Sequence, residues 1–272
     1  MSTTQPPWFD SHCHFDFAVF DKEREAHWQL AYKHGLRGLI IPGITRLKGQ
    51  DLAGFCHNKP WFYAQGLHPY FLEQHQISDI DWLEQQLITD TTIIAVGEVG
   101  LDKVLAKSEQ QLAQQQQYFY AQAELAQQYK KKMILHVRGM HDEACSYLRQ
   151  KQFAEGGIVH AFSGSEQQAK AWLDLGFKLG IGGAMTHPRA QKLRRTIRAL
   201  PIEAWLLETD SPDMKPAFWA SEHNSPVAIV LLAACLAALK EVELADLALA
   251  QQQSLLALWP SMQTVFEQTV IE

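Results

Sequence analysis

The sequence is short of several things, and each shortage removes a class of protein. Cysteine is scarce: Cys13, Cys56, Cys145 and Cys235 are scattered over 272 residues with no CxxC pair and no disulfide-like spacing. That pattern argues against a cysteine-held structural zinc or a disulfide scaffold, and it reads as reduced thiols in the cytoplasm. No apolar run approaches bilayer length, since the longest, Val227 to Leu239, is too short to span. The opening Met-Ser-Thr-Thr-Gln-Pro-Pro lacks the basic region and apolar core of a targeting signal. Positive charge is not in excess either, because 24 Lys and Arg against 30 Asp and Glu give a net charge of −6. A coating-type nucleic-acid binder is thereby disfavoured. An enzyme that holds a phosphodiester locally, through metal ions or a few Arg and Lys, is not. No Pro-, Gly- or Ser-rich linker divides the chain, which predicts a single domain over residues 1–272.

What is present is a repeated unit. The chain is 47% hydrophobic, and short β-rich apolar runs alternate with longer helical stretches. The strand candidates are 8–10, 38–42, 61–66, 92–97, 133–137, 157–161, 177–181 and 204–208. Helices are expected over 21–34, 47–58, 79–89, 109–130, 142–150, 165–174 and 188–199, followed by an Ala/Leu-rich helical C-terminus. Alternation of this kind predicts an α/β fold, a TIM-type (β/α)8 barrel. The glutamine-rich stretch 110–128 resembles low complexity, but Leu112, Phe119, Ala123 and Ala126 recur near helical spacing, so it reads as a solvated helix with an apolar stripe.

Barrel enzymes place their chemistry at the C-terminal ends of the strands, and the strand ends here carry unusual residues. The first run leads into His12-Cys13-His14, whose alternation in an extended chain points both imidazoles one way and Cys13 the other. The third is followed by His68, the fourth by Glu98, the fifth carries His136 and Arg138, the sixth His160 with Ser163 beyond it, and the eighth Asp210. A His or carboxylate in an apolar strand is costly unless paired or bound to metal. Taken singly, each has another reading: His136 or His160 as a core histidine donating to a carbonyl, Glu98 as a turn residue, Asp210 as a cap. Together, four His and two carboxylates on one predicted face make the inventory of a two-metal site with N and O donors. Such a set suits Zn, Mn, Ni or Fe, with Mg a further option.

The motifs FDSHCHFDF, GLHP, VGEVGLD, ILHVR, VHAFSGS and LLETDSPDM occur in an order that resembles the TatD family of metal-dependent hydrolases, in its YjjV-type branch. The resemblance covers nearly the whole chain. It implies that His12, His14 and Asp210 hold one divalent ion, that His136 and His160 hold another, and that Glu98 bridges the two. It places Asp210 to take a proton from the attacking water. His68, Arg138 and Ser163, by their position at strand ends, are candidate substrate contacts at a phosphate, with a structural ion pair as the other reading of Arg138. His27, His34, His57, His75, His141 and His187 are assigned to surface or packing roles. Lys132-Met133 replaces the family's usual proline, Lys103 stands where an aromatic is common, and His223-Asn224-Ser225-Pro226 matches only in part. The implied activity is phosphoester hydrolysis, with a nucleic-acid phosphodiester as substrate, by a cytoplasmic monomer that has no membrane partner. The alternatives are an amide or lactone hydrolase and a metal-binding barrel without turnover.

Overall fold

The computed structural model describes residues 6–267. The first five residues, which belong to the segment read above for a targeting signal, lie outside the described residues, as do the last five. The strands are β1 (Trp8–Asp10), β2 (Leu36–Pro42), β3 (Trp61–Gln65), β4 (Ala95–Asp102), β5 (Lys132–Arg138), β6 (Gly157–His160), β7 (Phe177–Ile181) and β8 (Trp205–Leu207). They form one sheet in chain order β1 to β8, and the fold is the predicted TIM-type barrel. The helices are α1 (Arg24–Lys33), α2 (Arg46–Gly49), α3 (Leu52–Cys56), α4 (Ser78–Thr89), α5 (Glu109–Gln128), α6 (His141–Gln150), α7 (Glu166–Asp174), α8 (Gln191–Ala199), α9 (Ile229–Lys240), α10 (Leu244–Leu258) and α11 (Gln263–Glu267). Among the described residues, no helix is long and apolar enough to cross a membrane. Two compact units are distinguished by their contacts, Met1–Ile40 with Gly180–Glu272, and Ile41–Leu179, the divisions falling within β2 and β7.

In the unit Ile41–Leu179, parallel pairing sets neighbouring functional positions level. Gly100 of β4 pairs with His136 of β5, and His136 pairs with His160 of β6. Gly100 has a strict steric reason to be glycine, since a Cβ there would lie 1.7 Å from the His136 carbonyl oxygen. The β4 ladder shifts register between Val96 and Val99, a bulge around Glu98 of the kind that re-aims a side chain. The structure thus extends β4 past the predicted end at residue 97 to Asp102, because the glycines that read as a turn are positions of close strand approach. The predicted helix 47–58 is instead two short ones: at Gly49 an added Cβ would meet Gln65 Oε1 at 2.2 Å and the Trp82 ring at 2.7 Å, and α2 ends there.

The glutamine-rich helix α5 buries Phe119, Ala123 and Ala126 as its spacing predicts, but also Gln115 and Gln122. These two amides serve strand-end backbone. Gln122 accepts from the Leu67 N–H at 2.8 Å and donates to its carbonyl at 3.2 Å, while Gln115 accepts from the Asp102 N–H at 2.8 Å. Buried backbone donors need such partners wherever the ladder stops.

In the unit formed by the two chain ends, β1 and β8 are sewn together beyond their last residues. The Ser11 N–H donates to Leu207 O at 3.0 Å and the Asp210 N–H donates to His12 O at 2.9 Å. Gln251 of α10 repeats the glutamine device on β8, accepting from Leu207 N–H and donating to Trp205 O. Trp8, Trp205, Ile229, Leu232, Leu236 and Leu247 pack the buried core of this unit.

Candidate metal centre

Strand β1 ends at Asp10, so His12 and His14 stand in the loop beyond it and not in the ladder itself. Their orientation is nonetheless the one that alternation predicts. His12 is fully buried and His14 nearly so, and both turn Nε2 toward Asp210 Oδ1, at 3.6 Å and 3.7 Å. Cys13 instead directs its thiol to the Ser211 carbonyl. Asp210 adopts φ 54°, in the left-handed region that few non-glycine residues enter, and its N–H bond to His12 O holds it there.

A second carboxylate steadies this cluster, one the sequence reading did not single out. Asp10 is fully buried and accepts from the Thr209 N–H at 2.9 Å, the Thr209 hydroxyl at 2.6 Å and the His12 N–H at 3.3 Å. Burial pushes its carboxyl up to about 8 against those hydrogen bonds. It ties the two loops that present His12 and Asp210. Asn224 does similar work, donating its side-chain amide to Thr209 O at 2.8 Å.

In the unit Ile41–Leu179 a carboxylate is ringed by imidazoles. Glu98 Oε1 lies 3.0 Å from His68 Nε2, 3.3 Å from His136 Nδ1 and 3.5 Å from His160 Nε2. His136 and His160 stand on adjacent strands at one register level, as the pairing dictates. His68, expected as a substrate contact, lies directly against Glu98, and its ring meets that of His136 at 4.5 Å between centroids. Arg138 and Ser163 are exposed, Arg138 at the end of β5 and Ser163 beyond β6.

Two further residues hold this ring in place. Asp102 Oδ2 is 2.9 Å from His136 Nε2, while Asp102 Oδ1 accepts from the N–H groups of Val104 at 2.7 Å and Leu105 at 3.1 Å. Burial works to raise the Asp102 carboxyl, but the hydrogen bonds from His136, Leu105 and Val104 prevail and hold it below the usual carboxylate range. An ionised Asp102 accepts only, so in the neutral His136 ring the N–H belongs to Nε2 and the lone pair to Nδ1, on the Glu98 side. Burial works to lower the His136 imidazole, and the hydrogen bonds to Asp102 and Glu98 raise it overall. His75, assigned to packing from sequence, places Nε2 2.8 Å from the His68 carbonyl and so supports the loop that carries His68.

These donors fit a divalent metal. In each of the groups His12, His14, Asp210 and His68, Glu98, His136 the candidate ligand atoms lie within 4.8 Å of one another. Ligand atoms gripping one ion at about 2.1 Å, with angles between tetrahedral and trigonal, lie roughly 3.4 to 3.6 Å apart. The His12 to Asp210 and His160 to Glu98 separations of 3.6 Å and 3.5 Å match that span and are long for hydrogen bonds. Mixed imidazole and carboxylate donors suit zinc and its first-row neighbours.

The family described as TatD related DNase matches residues 9–259. An uncharacterized metal-dependent hydrolase of Escherichia coli K12, YjjV, is 39% identical over 219 residues, covering 80% of this chain and 84% of its own. Its crystal structure superposes with a TM-score of 0.88 at 35% identity, covering 93% of this chain and 98% of that one. The protein named 3'-5' ssDNA/RNA exonuclease TatD of Erwinia billingiae is 30% identical over 230 residues, which is 80% of this chain and 85% of that protein.

Proposed function

The chain belongs to the TatD family of metal-dependent hydrolases, and from that premise we propose that it hydrolyses phosphoester bonds, with single-stranded nucleic acid as the substrate class. The observation that carries the proposal is that two carboxylate-imidazole clusters are assembled, each within its own unit, at the strand end where barrel enzymes act. One stands in the loops just beyond β1 and β8, and the other is built from Glu98 in β4 and from His136 and His160 in the C-terminal halves of β5 and β6, with His68 beyond β3. The family resemblance supports two divalent ions, one held by His12, His14 and Asp210 and one by His136 and His160, with Glu98 as their common ligand. Zn, Mn, Mg and Ni all suit these donors. The relative named as an ssDNA/RNA exonuclease supports the choice of substrate class.

When bound, the ions supply a water of lowered pKa and positive charge opposite the phosphoryl oxygens. The protein's own groups do the rest. Asp210 accepts the proton of the attacking water at a carboxylate oxygen, the general-base step. Asp102 fixes the His136 ring, and His68 sets Glu98 through the 3.0 Å contact. Arg138 and Ser163, exposed where β5 ends and beyond β6, meet the substrate phosphate. Glu98 stands where related barrels that cut amides and lactones often place a modified lysine, which favours the phosphoester reading.

The test is a substrate panel on protein loaded separately with Mn, Mg, Zn and Ni, containing single-stranded and duplex DNA, RNA, small phosphodiesters, a cyclic amide and a lactone. Cleavage of phosphodiesters, strongest on single strands and abolished in Asp210→Asn, is expected. Turnover of only the amide or lactone, or none with any metal, overturns the proposal.

A further inference from the structure

Beside the Glu98 ring lies a cavity of about 360 Å³ that the hydrolytic chemistry leaves unused. One wall is the kinked 3-10 segment Pro69–Gln74 that follows His68, and the other is formed by Leu105 and Lys107 before α5 and by Gln111 and Gln115 in its first turns. Both walls are tied to the site. The Tyr70 N–H donates to His68 Nδ1 at 2.9 Å, and the Phe71 ring lies 6.1 Å from that of His68. The other wall hangs on Asp102, which accepts from Leu105 N–H and whose own N–H is taken by Gln115. The cavity is thus fixed next to the reacting centre and not on a wandering loop.

Its lining is aromatic and hydrogen-bond donating. Tyr70 is 67% exposed although its backbone is fixed, and Phe71 meets it edge-to-face with ring centroids 5.0 Å apart, so the ring is braced with most of its surface uncovered. Gln111 spends its amide oxygen on the Lys107 N–H at 2.8 Å, which leaves the NH2 end as the group it can offer. Glu73 and Lys107 balance in charge, so the pocket has no net pull on a bare phosphate. A neutral, flat, acceptor-bearing group is what such a lining takes.

We propose that this cavity seats an unpaired nucleobase of the substrate strand, stacked on Tyr70, with its carbonyl groups facing the Gln111 amide. The assignment rests on the nucleic-acid reading above and deepens it. Stacking demands a free base face, which a duplex does not offer, so the pocket selects single strands. It is also how a chain of net charge −6 gains hold of a polyanion without a basic stripe. Tyr70 acts here on affinity and strand choice, and not in the bond-breaking step.

The experiment compares metal-loaded protein with a short single-stranded oligodeoxynucleotide and with the same strand carrying abasic sites at the positions flanking the scissile phosphate, reading both Kd by fluorescence anisotropy and KM. Wild type is expected to prefer the intact strand by about tenfold or more, the size of one base-aromatic stack. Tyr70→Ala is expected to bring the two strands within about twofold, and Tyr70→Phe to keep the preference. Binding and cleavage with no preference for bases, or a Tyr70→Ala loss equal on both strands, overturns the stacking site while the hydrolase reading stands. Failure of wild type to bind or cut either strand overturns both.

Discussion

His136 is gripped from its far side by Asp102, with 2.9 Å between Nε2 and Oδ2, while its Nδ1 faces Glu98 at 3.3 Å. The arrangement is the carboxylate-histidine pairing that orients metal-binding imidazoles. It also makes a replacement informative. The other oxygen of Asp102 is occupied by the N–H groups of Val104 and Leu105. An asparagine there can satisfy those donors only by turning its NH2 toward Nε2. That forces the His136 proton onto Nδ1 and turns the lone pair away from Glu98. Asp102→Asn is expected to lower metal affinity at this cluster by about 10- to 100-fold. Competition with a chromophoric chelator measures it, and unchanged affinity would contradict the role.

At the opposite end of the strands, Asp90 accepts from the Thr92 N–H at 2.9 Å and from the Tyr63 hydroxyl. Burial works to raise its carboxyl, but the hydrogen bonds from Thr92 and Tyr63 and the charge of Lys131 outweigh it and hold the group below its ordinary value. The folded chain therefore binds this proton less readily than the unfolded chain. The stabilisation is complete above the unfolded carboxyl's value, near 4, and is lost as pH falls through the lower folded value. The group is half-exposed, so screening keeps the contribution to about 1 kcal/mol. Asp90→Asn is expected to lower Tm at neutral pH and to flatten the acid limb of stability against pH. Equal losses at pH 7 and pH 3 would contradict the assignment.

Lys240, the last residue of α9, sends its ammonium to the end of α8, donating to Ile197 O and Arg198 O at 3.1 Å each and to Leu200 O. Those are carbonyls a helix C-terminus leaves without intrahelical partners, where a cation is favourable. Removing it in Lys240→Met is expected to cost about 1–2 kcal/mol, a fall of a few degrees in Tm. Calorimetry checks it, with the rate at 25 °C as control. A Tm within a degree of wild type would contradict the capping role.

The strand-end histidines and acids stand out in the sequence because such residues beside apolar runs are expensive, but only Glu98, His136 and His160 fall within strands, while His12, His14, His68 and Asp210 stand in the loops beyond them. His68, expected as a substrate contact, lies 3.0 Å from Glu98 Oε1, a contact that its place in the sequence does not announce. Asp10 was out of reach, since its partner Thr209 is 199 positions away and nothing in either residue announces the pair. Asp102 and the length of β4 were hidden by Gly97 and Gly100, which read as a turn until the proximity of the His136 backbone explains the second of them. Gln115 and Gln122 were read as part of a solvated face, because an amide that caps a buried backbone group looks, in sequence, like any surface glutamine. His75 was masked in the same way.

The most direct test of the account is metal content per chain, read by mass spectrometry on purified wild type, His14→Ala and His160→Ala, with phosphodiester cleavage measured on the same samples. Each variant removes a proposed ligand from one unit only. The account predicts two ions in wild type, one in each variant, and loss of cleavage in both. A variant that keeps the wild-type metal content and rate would contradict it.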